Sequence, residues 1–208
     1  MAKMKFWGVK LLILLIVLGC KTEKKGGEQE TMNTGKSLEG KKIVMVIAHE
    51  NFRDEELLVP KKHLSALGAE VTIASTELTQ ASGMLGATVT PDMLVKDVNP
   101  ADYDMVAFIG GSGVQNIWDR KDHHELAKKA DSLGKPIAAI CLAPAILAKA
   151  GILKGKKATV YESAKNHLEA GGANYAGEGV IQDGRIITAT GPQYAEQFAK
   201  TIEKVLAK

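Results

Sequence analysis

Gly134–Ala150, GKPIAAICLAPAILAKA, is the stretch that decides how the rest of the chain is read. Pro136-Ile137-Ala138-Ala139-Ile140 is a short apolar run with an isoleucine on each side of the alanine pair. That length and composition suit a strand covered on both faces, as in a parallel sheet. From Ala143 the residues are helix formers, with no glycine before Gly151. Cys141 stands between the two patterns. A side chain on a sharp strand-to-helix turn stands at the carboxyl edge of a sheet, the geometry of a nucleophile elbow. A helix N-terminus there favours the thiolate. The plainer reading, a buried small hydrophobe, stands beside the reactive one at this point.

At the other end of the chain, Lys3, Lys5 and Lys10 precede or open a continuous apolar run, Leu11–Leu18. The run is short for a membrane span and suits the central region of a signal peptide. It closes in Val17-Leu18-Gly19-Cys20, which resembles the bacterial lipobox, whose cysteine is lipidated and becomes the new N-terminus. An uncleaved anchor helix is the alternative, and either reading ties the chain to a membrane. The expected organisation is a signal peptide over residues 1–19, a lipidated Cys20 with a flexible tether to residue 41, and a domain over residues 42–208. The expected location is the bacterial cell envelope, lipid-anchored and facing the periplasm or the surface. Residues 1–19 hold three lysines and no acid, so their removal takes the net charge from +3 to zero. No basic cluster interleaved with aromatics remains, and nucleic acid is not an expected partner. Of the two cysteines, lipidation would consume Cys20, leaving Cys141 as the sole thiol with no disulfide partner.

The tether, KTEKKGGEQETMNTGKSLEGK, is polar and almost free of apolar residues. After it, Ile43–Ala48 reads as a buried strand, Asn51–Arg53 as a loop, and Asp54–Leu67 as a helix stopped at Gly68, with Pro60 inside it as a kink signal. Glu70–Ala74 and Asp104–Ile109 read as further strands. Gly83–Val98 reads as a small hairpin excursion, and a helix is expected through His123–Leu133. Lys157–Tyr161 is strand-like and Ala164–Ala170 a short helix. Val180-Ile181 and Arg185–Thr188 flank a hairpin turn at Asp183-Gly184. Tyr194–Ala207 closes as an amphipathic helix. Strands alternating with helices predict an α/β sandwich with a mostly parallel central sheet. Ligands in such folds bind at the carboxyl ends of the strands, where Glu56, Gly110-Gly111 and Cys141 fall.

Glycine lets backbone N–H groups approach a substrate oxygen, so Gly110, Gly111 and Leu142 are the candidate oxyanion donors. A protonated Glu56 carboxyl near Cys141 would donate to its thiolate. With these pieces in place the chain resembles the PfpI family, the ThiJ/PfpI and parkinsonism-associated deglycase group. The resemblance is carried by Phe52-Arg53-Asp54-Glu55-Glu56-Leu57 through Pro60, Tyr103-Asp104 through Gly110-Gly111, Ala138–Cys141 through Pro144, and Thr190-Gly191-Pro192. It implies a flavodoxin-like sandwich, a reactive Cys141 hydrogen-bonded by Glu56, and a homodimer or larger assembly.

Two positions depart from relatives assigned as peptidases or carrying a histidine on a neighbouring strand. Leu142 follows the cysteine where those peptidases have histidine, and Tyr161 stands at the second histidine position. Tyr161 and His49 are therefore the accessory candidates. His63, His123, His124 and His167 are read as surface or capping residues, and no metal or cofactor is expected. The leading expectation is a cysteine-dependent enzyme acting on small carbonyl compounds or their adducts, in the manner of glyoxalases and deglycases. The alternatives are a redox-sensing or protective protein acting through oxidation of Cys141, and a scaffold that keeps the fold without turnover. Peptidase action is not expected, because Leu142 cannot protonate a leaving amine.

Overall fold

The computed structural model describes residues 37–208, together with Met1 and Lys3. The signal-peptide reading, Cys20 and most of the tether lie outside the described residues. The strands are β1 (Lys42–Val46), β2 (Glu50–Phe52), β3 (Glu70–Ser75), β4 (Ala81–Gly83), β5 (Thr88–Val89), β6 (Met93–Leu94), β7 (Met105–Phe108), β8 (Ile137–Ile140), β9 (Lys157–Ala158), β10 (Asn174–Tyr175), β11 (Val180–Asp183) and β12 (Ile186–Ala189). The helices are α1 (Asp54–Ala66), α2 (Lys121–Ser132), α3 (Pro144–Lys149), α4 (Lys165–Ala170) and α5 (Ala195–Leu206).

Seven strands form the central sheet in the order β11-β12-β8-β7-β1-β3-β6. Every pair in it is parallel except β11–β12, a hairpin whose turn is Gly184-Arg185, one residue later than expected, with Asp183 still paired to Ile186. The expected α/β sandwich with a mostly parallel sheet is therefore observed. The central strands β1, β7 and β8 are apolar almost throughout because helices cover both faces, so no alternation with polar residues is needed. Helices α1 and α5 pack together on one face, where His63 on α1 bonds Glu203 on α5 at 2.7 Å. Helices α2, α3 and α4 pack against one another in sequence.

The departures from the sequence reading have local causes. The packed chain begins before Lys42: Leu38, inside the stretch read as tether, is wholly buried, and its N–H donates to Leu67 O at 2.9 Å. A single leucine among polar residues carries no periodicity, so composition hides it. The Asn51–Arg53 loop is in part β2, which pairs with β4 although Asn51 takes a left-handed φ of +56°. The β4–β5 hairpin opens at Ala81, two residues before the expected Gly83–Val98 excursion, which also sends β6 back to the sheet edge beside β3. Lys157–Tyr161 is strand only at Lys157-Ala158, and it pairs with β10 outside the central sheet. Helix α1 runs through the buried Pro60; proline has no N–H for the carbonyl four residues earlier, which here is that of Glu56.

Candidate active site

Cys141 follows the last residue of β8 with a φ of +62°. For a residue other than glycine this conformation costs about 1–2 kcal/mol, so neighbouring bonds must hold it. Its N–H donates to Ala189 O on β12 at 2.8 Å, and its carbonyl accepts from Tyr161 N at 2.9 Å. The carbonyl of the next residue, Leu142, is fixed by Trp118 Nε1 at 3.0 Å. His167 packs its ring on Trp118, with centroids 4.5 Å apart. The turn that carries the cysteine is thus tied to the sheet on one side and to aromatic packing on the other.

Glu56, on the first turn of α1, is completely buried. Gly110 lies between it and the cysteine. A Cβ on Gly110 would overlap the Glu56 carboxyl and Cys141 Cβ and come within 2.7 Å of Ile140 O. Only glycine lets the two side chains share this space. Neither carboxyl oxygen makes a hydrogen bond of good geometry; the Cys141 thiol and the Gly110 N–H act on the carboxyl from less well aligned positions. Burial dominates and raises Glu56 to about 8, against a smaller lowering by the thiol, Arg53 and the Gly110 N–H. The carboxyl therefore carries its proton at pH 7.

The thiol behaves otherwise. Burial pushes Cys141 up to about 12, with the Glu56 charge adding to it and the Gly111 and Leu142 N–H groups opposing. The expected lowering by a helix N-terminus is corrected here. Helix α3 is only six residues long and begins three residues after the cysteine, so its dipole does not offset desolvation. Below about pH 8 Glu56 is neutral, and its share of the elevation disappears. A second correction concerns the oxyanion donors. Gly111 and Leu142 direct their N–H groups at the sulfur, whereas the Gly110 N–H acts on Glu56.

Above the sulfur opens a cavity of about 500 Å³. Arg53, Ser112, Gln115, Tyr161, Ser163 and Gln193 are among the residues that line it. Tyr161 is half-exposed there. His49 is not among the lining residues. It lines a separate cleft of about 260 Å³ with Thr76 and Glu77, where its Nε2 lies 3.2 Å from Thr79 Oγ1. The loop after β1 carries it towards β3, away from β8. His123, read as a surface or capping residue, is wholly buried, with Nδ1 2.7 Å from Asp122 Oδ1. His124 bonds Trp118 O at 2.7 Å.

Three contributors escaped the sequence reading as site residues: Arg53, Trp118 and Asp54. Asp54, nearly buried, accepts from Leu85 N at 2.9 Å and Ala87 N at 2.7 Å. It thereby holds the loop whose Met84 lines the cavity. An acid beside Glu56 at a helix start is a cue for a cap, but the 31- and 33-residue separations of its partners are visible only once the chain is folded.

A flavodoxin-like sheet with a cysteine on the turn after a central strand and a buried glutamate against it defines a class of α/β proteins. Residues 41–204 match the DJ-1/PfpI family, and the chain belongs to that family. An uncharacterized protein of Methanocaldococcus jannaschii is 38% identical over 99% of this chain and 98% of its own length. The deglycase PfpI of Pyrococcus furiosus is 34% identical over 79% of this chain and 99% of its own. Among solved structures, a ThiJ/PfpI domain protein from Brachyspira murdochii superposes with a TM-score of 0.77 at 33% identity, covering 80% of this chain and 98% of that one.

Proposed function

We propose that this chain is a cysteine-dependent enzyme acting on small carbonyl compounds or their adducts, tethered to the cell envelope by lipid on Cys20. The observation that carries the reading is the Cys141–Glu56 pair packed across Gly110 beneath an open cavity. The name deglycase on a full-length relative from Pyrococcus furiosus supports the same chemistry.

With a 2-oxoaldehyde the atoms balance without an external oxidant. Cys141 sulfur adds to the aldehyde carbon, and the aldehyde oxygen, held by the Gly111 and Leu142 N–H groups, receives the thiol proton. The neutral Glu56 carboxyl then takes the hydrogen of that carbon as a proton on one oxygen and gives its own proton to the ketone oxygen, forming an enediol. The reverse exchange delivers a proton to the second carbon and removes one from the first hydroxyl, leaving a thioester. Water opens the thioester, releasing a 2-hydroxy acid and the free thiol.

The full chain in detergent should convert methylglyoxal to a hydroxy acid, and Cys141→Ser should abolish conversion. No conversion by the wild-type protein would sink the enzymatic reading. Peptide bonds require protonation of a departing amine, general acid catalysis typically worth about 100- to 10,000-fold, and no histidine is among the residues lining the cavity. Casein should accordingly remain intact. Robust cleavage lost in Cys141→Ser would reveal a proton donor outside this account, with Tyr161 the first suspect. Metabolic labelling with palmitate should mark the wild-type chain and not Cys20→Ser. The functional unit is a homodimer or larger assembly, which sedimentation of the detergent-solubilised protein tests.

A further inference from the structure

Among the described residues lining the Cys141 cavity, Arg53 alone carries a formal charge at neutral pH. The rest of the lining is apolar or neutral and polar, with Ser112, Gln115, Ser163 and Gln193 distributed around it. The guanidinium is held in place. Its Nε donates to Glu55 Oε2 at 2.7 Å and its Nη2 to Glu55 Oε1 at 3.0 Å, a two-point pairing. Its backbone N–H donates to Gly110 O at 2.9 Å, so the residue is fixed to the glycine that separates Glu56 from Cys141. This pairing occupies the Nε edge, and Nη1 makes no hydrogen bond among the described residues. Glu55 balances the charge of the pair, but it is not among the residues facing the cavity. A planar donor edge beside a nucleophile, with no anion lining the same cavity, is suited to a carboxylate.

We infer that the carbonyl compounds taken by this site carry a carboxylate, which Arg53 receives while Cys141 adds to the carbonyl. This deepens the proposed carbonyl chemistry and rests on it. The substrate class is a 2-oxoaldehyde, or an adduct of one, with a carboxylate a few bonds from the reacting carbon. A cavity of about 500 Å³ has room for such a molecule. The recognition is electrostatic and directional, and does not depend on the proton steps at Glu56.

Two measurements separate this inference from the reading beneath it. In the first, the full chain in detergent is offered 4,5-dioxopentanoate, a 2-oxoaldehyde with a carboxylate, and neutral methylglyoxal. The wild-type kcat/KM should favour the anionic compound, and Arg53→Gln should lower that preference roughly tenfold, the scale of one charge-assisted hydrogen bond. The loss should fall on KM for the anion, and any effect of the substitution exerted through Glu56 or Cys141 is common to both aldehydes and cancels in the preference. The second measurement needs no turnover. Cys141 is alkylated with iodoacetate and with iodoacetamide, and modification is followed by mass spectrometry on the peptide containing Cys141. Any change in thiol acidity caused by losing Arg53 cancels in the ratio of the two rates. That ratio should fall roughly tenfold in Arg53→Gln and be retained in Arg53→Lys better than in Arg53→Gln. An unchanged ratio overturns the carboxylate inference even if methylglyoxal is turned over. A fallen ratio with no turnover of either aldehyde supports anion recognition and instead removes the enzymatic reading.

Discussion

Glu56 and Cys141 are each displaced from ordinary behaviour by the other's presence and by the loss of water. Both are raised by burial, and the Glu56 charge raises the thiol further. The resting pair is therefore uncharged at pH 7. Thiolate absorbance should appear in the wild-type protein only on the alkaline side. Glu56→Gln removes the charge and keeps the volume, so it should shift that appearance to lower pH while reducing turnover. Wild-type ionisation below about pH 7.5, the upper end for activated cysteines, would contradict this account. Stability follows with a definite sign. An acid whose folded pKa is raised binds its proton more tightly when folded, so its contribution is fully present below its unfolded value near 4.5 and is lost as pH rises through about 8. The stability of the wild type should thus fall between those values by up to a few kcal/mol, read as a falling thermal midpoint. Glu56→Gln should be flatter across the same range. A wild-type midpoint that rises from pH 5 to 8 would show that the carboxyl is ionised when buried.

At the scale of elements, the site exists because three loops converge at the carboxyl ends of β1, β7 and β8, and their approach is closer than side chains normally permit. Gly110 stands at that approach. Gly110→Ala should destabilise the fold by about 1–3 kcal/mol through overpacking and should separate Glu56 from Cys141, so loss of turnover should exceed what unfolding explains. Full activity in a folded Gly110→Ala protein would mean that the pair need not touch. The Met84 loop depends on a different device. Asp54→Ala would leave the Leu85 and Ala87 N–H groups without their buried acceptor, at a cost of about 1–3 kcal/mol. Thermal denaturation measures that loss, and an unchanged melt would show that the loop is held by its own turn.

For the whole molecule, the boundary of the folded body matters more than its interior, which is conventional for a parallel sheet covered on both faces. Leu38 reaches the core from the end of the expected tether. Leu38→Ala should cost about 2–5 kcal/mol, the range for a fully buried leucine. A chain beginning at Lys42 should melt lower than one beginning at Ser37 by a comparable amount. Equal melts would show that the Leu38 contact contributes nothing, returning the tether to its full expected length.

Local pattern was enough for the elements whose burial shows in consecutive residues. Ile43–Ala48, Met105–Ile109 and Pro136–Ile140 are apolar without interruption, and a strand covered on both faces admits little else. The alternation of these runs with helix-forming segments leaves few topologies, and the observed sheet is among them. Cys141 and Glu56 were legible because each sits at a fixed offset from such a run or from the start of a helix. Other features depended on separations of tens of residues. The pairing of β2 with β4, the Asp54 contacts to Leu85 and Ala87, and the departure of His49 into another cleft are set by how the loops pack, which no local window contains. The acidity of the thiol also belongs to the tertiary structure. Sequence places Cys141 before a helix, where dipole and N–H groups lower a thiol. Folding decides how much water is removed and which charge is left beside it, and desolvation of the sulfur outweighs the N–H groups.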